Sequence, residues 1–349
     1  MRIIVVEARA PFTRETGSLR TLALMDACRG LGHQVDQVRL PLDERPHTLL
    51  EQASRWALLN LAASNGRRVD AVIATNFPSY VVRHPHKVVW PLRQPRVAYD
   101  SSSIALGDLG PGVEADTRLR QRLVAADTAA LNSCAAVFTD SVGATTRLRA
   151  TNGIESTPLS CPPPPADPRS DGPIGRDVVI LSPLAPSSRV DLAIRAMVAV
   201  PQPVRLVVVG DGPARQSLEG LSHELMLGAR VEFGGRPDGP AVARLVGDAL
   251  CVLDLMPGQE EAEATLAGLR AGRPVITTAD SGAPRDHVEH GRNGLVCEAT
   301  PEGIGVAVAQ LAGPGDLARS LGRAALKTVP PVSWTELVGH LLAGVPDHG

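Results

Sequence analysis

Short β-branched runs alternate with helical stretches along the whole chain, a pattern that predicts parallel sheets with helices on both faces. The N-terminal half supplies strand candidates at Ile3 to Val6, Asp70 to Ala74, Lys87 to Trp90 and Ala135 to Thr139. The C-terminal half supplies Val178 to Ser182, Arg205 to Gly210, Arg230 to Phe233, Cys251 to Leu255, Pro274 to Thr278 and Gly294 to Cys297. Between strands, Leu19, Leu22, Ala23 and Ala27 recur at helical spacing ahead of Gly30 and Gly32, and Val190, Ala193, Ile194 and Met197 make a second stripe. Both stripes read as faces turned towards a core.

The pattern stops at residues 162–173, where six prolines within twelve positions can neither continue a helix nor donate a regular ladder of hydrogen bonds. Strands and helices restart at once beyond it. The expected organisation is therefore an N-terminal Rossmann-like domain over residues 1–161, a stiff linker over 162–175, and a C-terminal Rossmann-like domain over 176–349, with the option that the last helix crosses back. A chain of 349 residues suits two such domains better than one. In doubly wound sheets ligands bind beyond the carboxyl ends of the strands, so two facing domains predict a central cleft.

Charge narrows the partners. With 35 basic against 37 acidic residues the net charge is -2, which calls for neither a nucleic-acid groove nor an anionic membrane surface. Cys28, Cys134, Cys161, Cys251 and Cys297 are odd in number and never paired as C-x-x-C, which argues against a disulfide framework or a structural zinc site and favours a reducing cytoplasm. The apolar run after Met1 is too short for a signal peptide, and no later run is long enough to span a bilayer.

Several segments resemble one subgroup of the family 4 glycosyltransferases (glycosyltransferase group 1). In the N-terminal half these are the string from Asn76 to Trp90, Arg96-Val97-Ala98-Tyr99-Asp100, Val137-Phe138-Thr139-Asp140-Ser141, Arg147-Leu148 and Asn152-Gly153-Ile154. In the C-terminal half they are Arg189 to Ile194, Val208 to Pro213, Ala271 to Ile276 and Gly291 to Leu295. The resemblance covers nearly the whole chain and implies a GT-B fold, an acceptor on the N-terminal domain, a nucleotide-sugar on the C-terminal domain, and a retaining transfer without a metal ion or other cofactor.

At the active positions the sequence departs from what the resemblance implies. The family's glycine-rich turn after the first strand aligns with Thr13 to Gly17, where Glu15 and Thr16 replace two glycines, and a carboxylate there repels a diphosphate. The family's Arg and Lys that neutralise the leaving diphosphate align with Pro183 and Ser188, although Arg189 survives beside them. Its two sugar- and ribose-binding glutamates align with Gln259 and Ala267. Glu260, Glu261 and Glu263 lie close by as donor-side candidates, and they also read as acids favoured by a helix N-terminus. The family's histidines after the strand ending at Trp90 align with Arg93 and Pro95.

Other signals have plainer readings beside the functional ones. Gly210 and Gly212 suit a nucleotide cradle, but a strand-ending turn needs no ligand, and Arg215 in place of a third glycine breaks the dinucleotide fingerprint. His287 and His290 lack a third metal ligand. Arg83 and His84 read either as cleft residues or as hydrogen-bonded scaffold. Arg93 and Arg96 offer forked donors for an anion, or a solvated rim. Asp280-Ser281-Gly282 offers backbone to a sugar, or a plain turn. Two functions follow: a nucleotide-sugar-dependent glycosyltransferase with weakened chemistry, or a pseudo-glycosyltransferase serving as a partner subunit of another glycosyltransferase or as a carbohydrate- or nucleotide-binding module.

Overall fold

The alternating pattern resolves into two α/β units in the computed structural model, which describes residues 1–11, 16–43, 45–99, 114–162, 174–259, 261–329 and 333–346. Met1–Pro162 with Val332–Gly349 form unit 1, and Pro163–Pro331 form unit 2. Residues 163–173, the body of the expected linker, lie outside the described residues.

Unit 1 contains β1 (Arg2–Arg9), β2 (Gln34–Pro41), β3 (Ala63–Ser64), β4 (Arg67–Arg68), β5 (Ala71–Ala74), β6 (Lys87–Val89), β7 (Ala136–Thr139) and β8 (Thr157–Pro158). Six of them form a parallel sheet in the order β2-β1-β5-β6-β7-β8, and β3 and β4 pair separately as an antiparallel hairpin. Every residue of β5 is buried, as a central parallel strand covered on both faces requires. The apolar pattern does not predict β2. It is an edge strand whose residues alternate between exposed and half-buried, so its sequence QVDQVRLP holds too few apolar positions to register as a run.

The helix Thr16–Gly30 forms as expected, but the stripe assigned to its core face is corrected. Leu24, Met25 and Cys28 are buried, whereas Leu22 is 45 % exposed. The buried face continues through Arg20 and Thr21, both polar, which hides its true phase. The C-terminal helix Trp334–Leu342 belongs to unit 1, and its Leu337, Val338, Leu341 and Leu342 share a core with Leu24, Met25, Cys28 and Trp90. Its start is fixed by a capping box. Ser333 Oγ accepts from Glu336 N at 3.1 Å, and a Glu336 oxygen accepts from Ser333 N at 2.8 Å.

Unit 2 contains β9 (Asp177–Leu181), β10 (Arg205–Val209), β11 (Val231–Gly235), β12 (Cys251–Asp254), β13 (Val275–Thr278) and β14 (Gly294–Cys297), all parallel, in the order β11-β10-β9-β12-β13-β14. This is the doubly wound order 3-2-1-4-5-6. The stripe Val190, Ala193, Ile194 and Met197 is buried throughout, each large side chain contributing about 1.5–3 kcal/mol. The sheet order reverses between β9 and β12 in unit 2 and between β1 and β5 in unit 1, and these switch points locate the sites.

Candidate functional site

At the unit 2 switch point the loop leaving β9 ends on Arg189, whose φ of +55° puts a non-glycine residue in the left-handed region. Its guanidinium reaches across the strand ends. Nη1 donates to Leu255 O after β12 (3.5 Å), to Thr278 Oγ1 at the end of β13 (3.4 Å) and to Asp280 Oδ1 (2.8 Å), while Nη2 donates to Asp280 Oδ2 (2.6 Å). This forked pair holds the Asp280 carboxyl down at about 2. Ser188, one position earlier, is buried, and its hydroxyl has no hydrogen-bond partner among the described residues.

Gln259 is brought to the same place by backbone pairing. Gly258 N donates to Asp280 O (2.7 Å), Gln259 N to Ser281 O (3.1 Å) and Ala283 N to Gln259 O (2.7 Å). Gly282 is required there: its φ is +75°, and a Cβ would stand 2.3 Å from Gln259 O. The Gln259 Oε1 atom is buried without a partner among the described residues. Arg189, Ser188, Gln259, Ser281 and Gly282, drawn from three stretches of sequence, thus converge on one strand edge. Ala267 is half-buried on the helix Glu263–Arg270; Glu261 precedes that helix, Glu263 opens it, and Glu260 lies outside the described residues.

Gly210 and Gly212 follow β10 and are explained by packing. A Cβ would lie 1.9 Å from Ser182 O at Gly210 and 2.5 Å from Leu184 O at Gly212, so these glycines let the loop carrying Pro183 pass. In the other histidine pair, His290 Nδ1 accepts from Val296 N at 3.0 Å. Among the described residues no group of three or more His, Cys, Asp or Glu could hold a metal ion.

One acid here carries no signal in the sequence, because it ends an apolar strand with no motif around it. Asp254 is buried at the end of β12, where its carboxyl accepts from Thr265 Oγ1 (2.7 Å) and Thr265 N (3.2 Å). Burial pushes its pKa up to about 6, against the lowering effect of both hydrogen bonds. Its folded value thus exceeds the usual value of about 3.9, so the folded chain keeps a proton that the unfolded chain releases. The contribution of this group to stability is fullest below about pH 4, declines as pH rises through about 6, and above that is lower by about 3 kcal/mol. Asp254→Asn keeps an acceptor for Thr265 and removes the titration, so urea denaturation of the two proteins should show wild type losing stability relative to the variant from pH 4 to 7. Parallel pH profiles would refute this.

In unit 1 the switch point is closed by Asn76, whose Oδ1 accepts from Ala8 N (3.0 Å) and whose Nδ2 donates to Ala8 O (2.7 Å), pinning β5 to β1. In the same unit, Arg20 and Asp140 form a buried ion pair at 2.7 Å. His84 stands at the other edge of the sheet. Its Nε2 bonds Val69 O (3.1 Å) and its Nδ1 accepts from His86 N (3.1 Å), ahead of β5 and β6. Both ring nitrogens serve the scaffold there, and Arg83 beside it is exposed. Arg93 is half-buried, with its carbonyl accepting from Phe77 N (2.9 Å). Glu15 and the side chains of Thr16 and Arg96 lie outside the described residues.

The motif residues Tyr99 and Asn152 belong to a buried network around Asp127. Both tyrosines of the chain donate to this carboxylate, Tyr80 to Oδ1 and Tyr99 to Oδ2 (2.5 Å), and Gln94 Nε2 donates to Oδ2 (2.7 Å). Asn152 Nδ2 then donates to the phenol oxygen of Tyr99 at 2.7 Å. The network fixes the segment after β6 against the helices Glu114–Asn132 and Val142–Asn152. The specific string of unit 1 is thus largely structural.

Two doubly wound units built on parallel sheets, with a polar, arginine-bearing edge at the second switch point, define a GT-B protein. Residues 175–328 match the family described as glycosyl transferases group 1. Among solved structures, the chain is similar to a sucrose-phosphate synthase from Thermosynechococcus elongatus, with TM-score 0.75 and 16 % identity over 98 % of both chains. It is also similar to HepE of Anabaena in complex with UDP and glucose, with TM-score 0.70 and 13 % identity over 99 % of this chain and 100 % of that one. A third is WaaG, a glycosyltransferase involved in lipopolysaccharide biosynthesis, with TM-score 0.70 and 14 % identity over 98 % and 99 %. Comparison with the curated proteins finds no match. No helix among the described residues is long and apolar enough to cross a membrane.

Proposed function

We propose that this protein binds a nucleotide-sugar at the switch point of unit 2 and transfers the sugar weakly on its own, as a glycosyltransferase whose donor site has lost charge. The Arg189–Asp280 pair carries this reading. A cation stands beside the position where the resemblance expects a diphosphate-binding Lys, but the forked carboxylate already offsets it, and Ser188 and Gln259 put neutral groups beside it. Transfer requires preorganised charge opposite the leaving diphosphate, and each such donor lost typically costs roughly 10²–10³ in rate. The acceptor is assigned to unit 1, where a cavity of about 660 Å³ opens beyond β1 and β2 between Pro11, Leu42, Arg45 and Gln52. UDP-glucose is the first donor to test, since HepE of Anabaena was crystallised with it. Five free cysteines suit a reducing cytoplasm.

The second reading, a partner subunit without turnover, is favoured by the loss of both carboxylates at Gln259 and Ala267. Calorimetric titration with uridine, guanosine and thymidine diphosphate sugars tests the shared premise: saturable heat with one of them supports a donor site, and no heat from folded protein removes it. Turnover that appears only after a motif-complete glycosyltransferase is added selects the partner reading. The double variant Gln259→Glu/Ala267→Glu should raise turnover of the bound donor by about tenfold or more. An unchanged rate, with donor binding intact, would show that the missing carboxylates are not the cause of weak transfer.

A further inference from the structure

The opposite edge of unit 2 carries a second concentration of polar chemistry. There the helix Leu317–Ala325 packs ahead of β13 and β14. Gly322 is so close to the chain leading into β13 that a Cβ would stand 2.1 Å from Gly272 O, and Asn293, just before β14, donates Nδ2 to Thr328 Oγ1 at 2.9 Å. These contacts fix the helix, and its outer face is basic. Ser320, Arg323, Ala324 and Lys327 recur at intervals of three and four, and with Arg292 they line a cavity of about 290 Å³.

Charge there is uncompensated. Arg323 and Lys327 are exposed and form no ion pair among the described residues. Arg292 meets Glu289 through Nη1 alone, at 2.8 and 2.6 Å, so its Nε and Nη2 remain available. Three cations against one carboxylate leave a local excess of about two positive charges, which an anion between them would offset. Ala324 keeps the floor of the pocket low, and Ser320 adds a hydroxyl. A cavity at the lower end of the roughly 300–1,000 Å³ of ordinary small-molecule sites has room for a phosphoryl group. It lies at the amino ends of β13 and β14, the edge away from Arg189 and Gln259.

We infer that this pocket binds a phosphoryl dianion, held by the forks of Arg292 and Arg323 and the ammonium of Lys327. Such a group is presented by a small phosphorylated metabolite or by a phosphate-headed lipid. The test uses the full chain carrying Arg189→Gln, so that the donor site does not contribute, titrated with inorganic phosphate and pyrophosphate by calorimetry. In parallel, the same protein is co-sedimented with phosphatidylcholine vesicles with and without phosphatidate. The expected result is one saturable site that Arg323→Gln/Lys327→Gln weakens by at least about tenfold, since charge-assisted hydrogen bonds are lost. Both positions are exposed, Arg323 on the helix and Lys327 in the turn after it, so glutamine is tolerated at each, and circular dichroism verifies the fold. Saturable binding of free phosphate assigns a soluble ligand, and binding only of phosphatidate vesicles, lost in the double variant, assigns a lipid headgroup. No binding in either arm, or binding that the double variant leaves unchanged, overturns the inference. Because the donor site is disabled throughout, failure here leaves the nucleotide-sugar reading standing, and the reverse also holds.

Discussion

Asp127→Ala should destabilise unit 1 by about 4 kcal/mol, with buried donors left unsatisfied as the main cause. Tyr80 is fully buried and its hydroxyl has Asp127 as its acceptor, so truncation strands it completely. Tyr99 and Gln94 lose less, because Tyr99 still accepts from Asn152 Nδ2 (2.7 Å) and Gln94 Nε2 still reaches Asn152 Oδ1 (3.1 Å). One full orphan and two partial ones, at about 1–3 kcal/mol for each full loss, give the expected sum. Tyr80→Phe removes the stranded donor but leaves Asp127 Oδ1 without it, and should cost about 1–3 kcal/mol, less than Asp127→Ala. Hydrogen exchange in urea separates the units: protection in β5 to β7 should fall while β9 to β13 stay unchanged. A loss below about 1 kcal/mol for Asp127→Ala would mean that the network is dispensable.

Asp280→Asn should strengthen donor binding by about tenfold, whereas Arg189→Gln should weaken it by about a hundredfold. The two effects differ in sign because the partners stand differently to a diphosphate: the guanidinium attracts it and the carboxylate repels it. The pair itself contributes little to stability, since the Asp280 side chain is 53 % exposed and such pairs contribute about 0–1 kcal/mol. Neutralising Asp280 therefore changes the field at the switch point without unfolding the loop, and the amide oxygen of the variant can still accept from Thr278 Oγ1 as the carboxylate does. Titration of both variants with the donor that binds wild type decides the matter. Weaker binding by Asp280→Asn would mean that the carboxylate orients Arg189 for the ligand, and that the offset-charge account of weak transfer is wrong.

What is legible along the chain depends on whether a feature is local. Strands such as Val178 to Ser182 and Cys251 to Leu255 declare themselves because a central parallel strand is apolar on both faces. β2 does not, since an edge strand is half solvated and its apolar positions alternate with polar ones. The Thr16–Gly30 helix is legible, but its face is not, because the polar Arg20 and Thr21 are buried, hydrogen-bonded to Asp140 and Glu7. Of the site candidates, Arg189, Gln259 and Ser281-Gly282 are individually visible. That they meet at one strand edge, while Gly210, Gly212 and His84 serve close packing and backbone hydrogen bonds, is not.

The sequence by itself determined the two-unit α/β architecture and the stretches in which Arg189, Gln259 and Ser281-Gly282 stand. These depend on apolar periodicity and on residue identity at a given spacing, which are written along the chain. Only the tertiary structure decided that Arg189 is paired with Asp280, that both tyrosines converge on Asp127, that Asp254 is buried with a raised pKa, and that Arg292 joins Arg323 and Lys327 around one cavity. Each of these is a meeting of side chains distant in sequence, 28 positions apart for Tyr99 and Asp127 and 91 for Arg189 and Asp280, or a burial set by neighbouring strands. The strength of a charge or a hydrogen bond depends on the distance between its partners and on the surrounding dielectric, and only the folded chain sets both.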